Sequence, residues 1–299
     1  MMRSDVPGGG RLMSVSAPPL ARRRSRLKVG TLLTYAALVI LSVLFLGPYY
    51  LIFRNALLTQ PEIFSFDWIW LPLSPHFENL KELFDDPLAP MATGLRNSAV
   101  VALVQTVGQI FIASLAGYGL ARIPYRWSNV VFYAMLLTLM IPGGVTFVPL
   151  FVLVSGMGWV NTLQGLIVPH LFNTFAAFLF RQFYIDFPHE LEEAGRMDGL
   201  NHWGIYRHIL LPNSLGIMLA LGLIAFISIW NAFLWPLIIG QSSEWWTVQV
   251  VLSTFLTAQT INLPALFMGA AVAVLPLVII FVVAQRYIVE GVTATGIKG

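Results

Sequence analysis

ELEEAGRMDGLNHWGIYRHILLP (Glu190–Pro212) concentrates charge in a chain that otherwise avoids it. No Asp, Glu, Lys or Arg lies between Trp127 and Phe180, and none from Ile209 to Ser243. The stretch has the signals of two short helices. Pro188 suits the first turn of the first helix. Glu190, Glu192 and Glu193 then sit near its positive end. Asp198 and Gly199 break it, because glycine readily takes the left-handed conformation that ends helices. Asn201 can cap the second helix, which Pro212 is expected to stop. Trp203, Tyr206 and Leu210 follow helical spacing and offer an apolar face, and Ala194 and Gly195 are small enough for another backbone to approach. Two readings stand at this point. The hairpin lies on the bilayer surface, or it docks on another protein. The small residues, the sharp turn and the acidic character favour docking, since surface-lying helices are usually rich in Lys and Arg.

Hydrophobic residues form 57% of the 299 residues and charged residues 10%, where a soluble domain carries about 25% charged. With a mean hydropathy of +0.76, the chain falls in the membrane class. The formal charge of +3 is small, and the Lys and Arg lie near the expected spans, so nothing indicates a nucleic-acid partner. The absence of cysteine excludes disulfides and thiolate metal sites.

A helix needs about 20 apolar residues to cross the hydrocarbon core. Six segments qualify: Val29–Phe53, Asn97–Ala121, Val130–Val154, Gln164–Tyr184, Ser214–Gly240 and Leu263–Ala284. Gly156, Gly158 and Asn161 supply the turn between the third and fourth. With the N-terminus in the cytoplasm, 14 Lys and Arg fall inside and only Arg54, Lys81 and Arg96 outside, which places both termini in the cytoplasm by the positive-inside rule. Residues 1–28 read as a flexible basic tail, 29–284 as the six-span domain with the 188–212 loop cytoplasmic, and 285–299 as a cytoplasmic tail. The first apolar run is too long for a signal peptide and lacks an A-x-A-like cleavage site, so it is expected to stay as an uncleaved span.

The stretch resembles the EAA loop of the permease subunits of binding-protein-dependent ABC importers. Glu193, Ala194 and Gly199 match that pattern, and Ile209, Leu211 and Pro212 match its tail. Gly195 stands where alanine is usual, and Gly216 where proline is common. The likeness extends along the chain: RNSAVVAL (Arg96–Leu103), SLAGYGLAR (Ser114–Arg122), LMIPGGVTFVPLF (Leu139–Phe151), WNAFLWPLI (Trp230–Ile238) and GVTATGIKG (Gly291–Gly299) are similar to the carbohydrate-type permeases, in particular the smaller maltose permease subunit. The resemblance implies an all-α type I importer permease in a bacterial cell membrane. It implies a heterodimer with a second permease, two ATPase subunits and an extracytoplasmic solute-binding protein. It places ATPase coupling at Glu193, Ala194, Gly195, Asp198, Gly199 and Pro212, and an ATPase contact in the tail at Thr293, Gly296 and Lys298. It also places a binding-protein contact at Trp245, Trp246 and Thr257.

Catalytic chemistry has no footing in the sequence. A phosphate-binding loop needs G-x-x-x-x-G-K-[ST], and the approach at Gly291–Gly296 is followed by Ile297. ATP hydrolysis is therefore expected in a partner, and no cofactor or metal is expected here. His170 reads as a satisfied or pathway-lining polar residue. Gln105, Gln109, Asn173 and Asn231 lie in spans, as interhelical hydrogen-bonding groups or as solute contacts, with Asn173 and Asn231 the candidate pathway lining. An ion-coupled transporter would need acids inside the membrane, and the expected spans hold no Asp or Glu. A carbohydrate is the expected solute. Glycerol 3-phosphate or a related polar solute is the alternative, disfavoured by the lack of Lys or Arg deep in any span.

Overall fold

The computed structural model describes residues 29–256 and 261–296, without the side chains of Val29 and residues 286–296. It divides into two units, 1–48 and 49–299. Among the described residues there are helices and turns, with no sheet beyond an isolated bridge between Leu256 and Ile261.

The helices in order are α1 (Val29–Ala56), α2 (Gln60–Ile63), α3 (Glu78–Asp85), α4 (Met91–Arg122), α5 (Ser128–Thr138), α6 (Gly143–Gly156), α7 (Leu163–Ile167), α8 (Thr174–Ile185), α9 (His189–Met197), α10 (His202–Ile205), α11 (Leu211–Asn213), α12 (Leu215–Trp230), α13 (Leu234–Ile239), α14 (Val248–Thr254) and α15 (Leu263–Gly296). Among the described residues, three segments are long and apolar enough to cross a membrane: Gly30–Ala56, Met91–Arg122 and Leu263–Gln285. The number rises to six if each of three bent pairs is one span.

The middle of the chain departs from the expected straight spans. Val130–Val154 is two helices, α5 and α6, meeting at 99°. Pro142 sits extended at the break (φ −59°, ψ 131°) and has no N–H to return to the Thr138 carbonyl, so the α5 ladder cannot continue. Gln164–Tyr184 bends by 44° between a 3-10 turn at Val168–His170 and α8, whose first turn is capped by Asn173 Oδ1 accepting from Ala176 N at 2.9 Å. Ser214–Gly240 ends its long helix at Trp230 and restarts as α13. The turn at 156–162 forms as expected, with Gly158 at φ 72° and Asn161 at φ 55°.

The second unit packs around three apolar clusters. One gathers Leu83, Met91, Trp230, Val251 and Met268. Another joins Ala113, Ala177, Phe180 and Tyr184 to Tyr206 and Leu210 of the charged hairpin. The third holds Val154, Leu166, Trp235 and Ile239. Buried indoles find carbonyl partners: Trp230 Nε1 donates to Ala273 O at 3.1 Å and Trp235 Nε1 to Gly165 O at 3.0 Å. Gly117 lets α4 and α8 touch backbone to backbone, because a Cβ there would lie 2.8 Å from Arg181 N and 2.9 Å from Phe180 C. At the other end of α4, Asn97 Nδ2 donates to the Glu244 and Trp246 carbonyls at 2.8 and 3.0 Å. The segment after α1 folds back beside it: Arg54 donates to the Ile69 carbonyl and to Asn55 Oδ1, and its guanidinium lies 4.2 Å from the Trp68 ring centroid.

Candidate functional site

The charged stretch folds as a hairpin held against the ends of α4 and α8. Helix α9 starts after Pro188 with Glu190 and Glu192 in its first turn. It ends at Gly199, which takes φ 81°. Asn201 then caps the second arm, its Oδ1 accepting from Gly204 N at 2.8 Å. That arm is α10, a π turn over Tyr206–Leu210, and α11.

Pro212 does not stop this arm as expected. It occupies the second position of α11, directly after the π turn at Tyr206–Leu210, and the helical conformation continues through it to Asn213. The turn comes two residues later, where Ser214 Oγ donates to the Leu210 carbonyl at 2.8 Å and α12 leaves at 72°. The apolar face also differs. Ile205, Tyr206 and Leu210 are buried, whereas Trp203 is 53% exposed.

Gly195 does not wait for an outside backbone. It is buried, and a Cβ there would lie 2.6 Å from Ile209 Cδ1 of the hairpin's own second arm. Glu192, three residues earlier on the same face, is also buried. Its Oε1 lies 3.1 Å from Arg122 Nε, with side chains 5% and 4% exposed. The pair is an ion contact rather than an aligned hydrogen bond, because the Arg122 Nε–H is directed at the Tyr184 carbonyl at 2.7 Å. Arg122 also donates to the Phe187 carbonyl and, at 2.6 Å, to the His189 ring. One guanidinium thus ties the end of α4 to the end of α8 and the start of α9.

A second tie is made of hydroxyls. Ser114 Oγ on α4 lies 2.6 Å from Tyr184 Oη and 3.1 Å from Tyr206 Oη, and Ser214 Oγ lies 3.3 Å from Tyr184 Oη. Tyr118 Oη donates to the His202 carbonyl at 3.0 Å. Neither tie was singled out from sequence. A signal existed for the first: Arg122 is the cation that ends a long apolar run, and Glu192 and Gly195 share helical spacing.

The opposite face of the hairpin is open. Glu193, Ala194, Asp198 and Gly199 are exposed, and Met197 at the tip is 88% exposed. The other expected site residues lie elsewhere. Trp245 and Trp246 are half-buried, with the Trp246 carbonyl held by Asn97; Thr257 lies outside the described residues. Thr293 and Gly296 belong to α15, with their side chains outside the described set, as is all of Lys298. Asn173 lines a cavity of about 380 Å³ together with Gln105, Gln109 and His170. Asn231 is not on that wall. It caps α12, donating to the Ile227 carbonyl at 2.8 Å and accepting from Gln249 Nε2 at 3.2 Å. Among the described residues no group of His, Asp or Glu could hold a metal ion.

Comparison with known proteins places this architecture. The chain is similar to the arabinooligosaccharides transport system permease protein AraQ of Bacillus subtilis (strain 168), at 36% identity covering 68% of this chain and 72% of that one. It is 34% identical to the lactose transport system permease protein LacG of Rhizobium radiobacter, covering 72% and 78%. It is 32% identical to the sn-glycerol-3-phosphate transport system permease protein UgpE of Salmonella typhi, covering 70% and 76%. The fold matches a chain of a bacterial ABC transporter involved in the import of the acidic polysaccharide alginate, with a TM-score of 0.77 at 19% identity over 91% of this chain and 99% of that one. Residues 109–294 match the family of binding-protein-dependent transport system inner membrane components, and the chain belongs to that family of ABC importer permeases.

Proposed function

We propose that this chain spans the membrane six times, with both termini cytoplasmic, and forms half of the pathway by which an ABC importer admits a carbohydrate. The hairpin at 188–212 couples the pathway to a separate ATPase. The observation that carries this reading is the hairpin's two-sidedness. One face is clamped to α4 and α8 through Arg122 and Glu192, and the other leaves Glu193, Ala194, Asp198 and a fully presented Met197 uncovered. A large apolar side chain held at the tip of a rigid charged hairpin suits a protein cleft better than water. A pull on such a tip moves the ends of two membrane helices rather than a loose loop.

The partners are a second permease, two ATPase subunits and an extracytoplasmic binding protein. In this arrangement Pro212 and Gly195 shape the hairpin, Trp245, Trp246 and Thr257 face the binding protein, and Thr293, Gly296 and Lys298 reach the ATPases. The carbohydrate reading is supported by the similarity to arabinooligosaccharide and lactose permease proteins. The similarity to UgpE favours glycerol 3-phosphate as the second reading.

The test is uptake by proteoliposomes holding the complete importer, with ATP enclosed on the hairpin side. Arabinotriose or lactose is taken up only with ATP, binding protein and both permeases present. Uptake of sn-glycerol 3-phosphate alone would support the second reading. Uptake by this chain alone, driven by an ion gradient, would overturn both.

A further inference from the structure

We infer that the cavity between α4, the Pro169–Ala176 turn and α12 is a solute subsite on this subunit, shaped for an uncharged, hydroxyl-bearing ligand. The inference rests on the carbohydrate-importer reading above and adds where, and by which groups, this chain touches its solute.

Gln105 and Gln109 lie one helical turn apart on α4 and share a face. Each is 7% exposed, and both line the cavity. The Gln109 amide donates to the His170 carbonyl at 3.1 Å. The Gln105 amide, nine-tenths buried, makes no hydrogen bond among the described residues and faces the open volume. A bare amide within a layer of apolar spans is costly, so it is satisfied from the cavity, by water or by a solute hydroxyl that replaces the water. Across from it stand Asn173, whose oxygen is committed to capping α8 and whose N–H groups remain free to donate, and the exposed Ser228 of α12.

The remaining walls are apolar, with exposed Phe172 and Phe175 among them. The volume of about 380 Å³ falls in the range of small-molecule sites. Amides and a hydroxyl match sugar hydroxyls, which donate and accept, and the apolar walls match sugar C–H faces. No Asp, Glu, Lys or Arg lines the cavity, and its titratable residue is His170, whose ring sits edge-on to Trp235 at 5.0 Å. A phosphate is bound most strongly by a guanidinium or an ammonium, and the lining holds neither.

The chain has no native cysteine, so Ser228→Cys reports on the cavity and Val107→Cys, on an exposed part of α4, reports on changes elsewhere. Both are made in the complete reconstituted importer, and thiol labelling is followed with arabinotriose, lactose or sn-glycerol 3-phosphate present. A saccharide should slow labelling of Ser228→Cys and leave Val107→Cys unaltered, while glycerol 3-phosphate should change neither. Adding Gln105→Leu to Ser228→Cys should raise the saccharide concentration for half-protection about tenfold, as expected for one lost buried hydrogen bond. The subsite is overturned if neither saccharide protects, or if glycerol 3-phosphate protects equally. Wild-type uptake in the same vesicles separates the two claims. Saccharide uptake without protection removes the subsite and leaves the importer reading standing, whereas no ATP-driven uptake of either saccharide removes the carbohydrate reading itself.

Discussion

Glu192 and Glu193 are neighbours in sequence and face opposite environments. Glu193 is exposed, free for a partner. Glu192 is buried against Arg122. Removing one member of a buried ion pair leaves the other charge uncompensated and typically costs about 3–5 kcal/mol, whereas replacing both by apolar groups of similar size is often neutral. Glu192→Ala is therefore expected to loosen the hairpin, detected as faster proteolysis at 188–200 and a lower melting temperature of the purified complex. Arg122→Met with Glu192→Met should not restore that stability, because the Tyr184 and Phe187 carbonyls then lose their donor. Equal stability of Glu192→Ala and wild type would show that the pair contributes nothing. Gly199 is constrained by conformation alone: it sits at φ 81°, and a Cβ there would meet no heavy atom within 4 Å, so strain and not crowding limits substitution. Asparagine tolerates this region and a β-branched residue does not. Gly199→Asn should keep ATP-coupled uptake, and Gly199→Val should lower it without affecting membrane insertion. Equal uptake by the two variants would contradict this account of the turn.

At the scale of elements, the contact between α4 and α8 is the one on which the hairpin is anchored. Gly117 permits that contact, and any Cβ there meets the α8 backbone, which cannot rotate away as a side chain can. Gly117→Ala should force the helices apart at about 1–3 kcal/mol, read as a lowered melting temperature. No shift would mean that the helices do not approach closely in the membrane. Much at this scale was legible in the sequence. The hairpin appeared in its charge pattern, the Gly199 turn and the Asn201 cap in their residue types, and α1, α4 and α15 in their unbroken apolar runs. The breaks were less legible. A run such as Val130–Val154 is apolar on both sides of Pro142, and hydropathy does not distinguish a tolerated membrane kink from a 99° bend. Hydropathy also gave no warning that Pro212 would be carried inside a helix, since that depends on the π turn and the Ser214 contact that follow. The Arg122–Glu192 tie joins residues 70 positions apart in sequence and needs the packing of α4 on α8 to bring them together.

At the scale of the whole molecule, apolar helices long enough to cross a membrane are joined to a charged hairpin. The distribution of Lys and Arg predicts that Glu193→Cys reacts with a membrane-impermeant thiol reagent only from the cytoplasmic side, and Asp67→Cys only from outside. Labelling of Glu193→Cys in sealed cells would reverse the orientation. The central claim is that the open face of the hairpin sits in a cleft of the ATPase. Met197, 88% exposed at the tip and outside every buried contact described above, is the position to question. With a photoreactive benzoylphenylalanine in place of Met197 in the assembled importer, illumination should join this chain to the ATPase subunit. Crosslinking to lipid alone, with the ATPase present in full complement and uptake intact, would contradict the claim and place the hairpin on the bilayer surface.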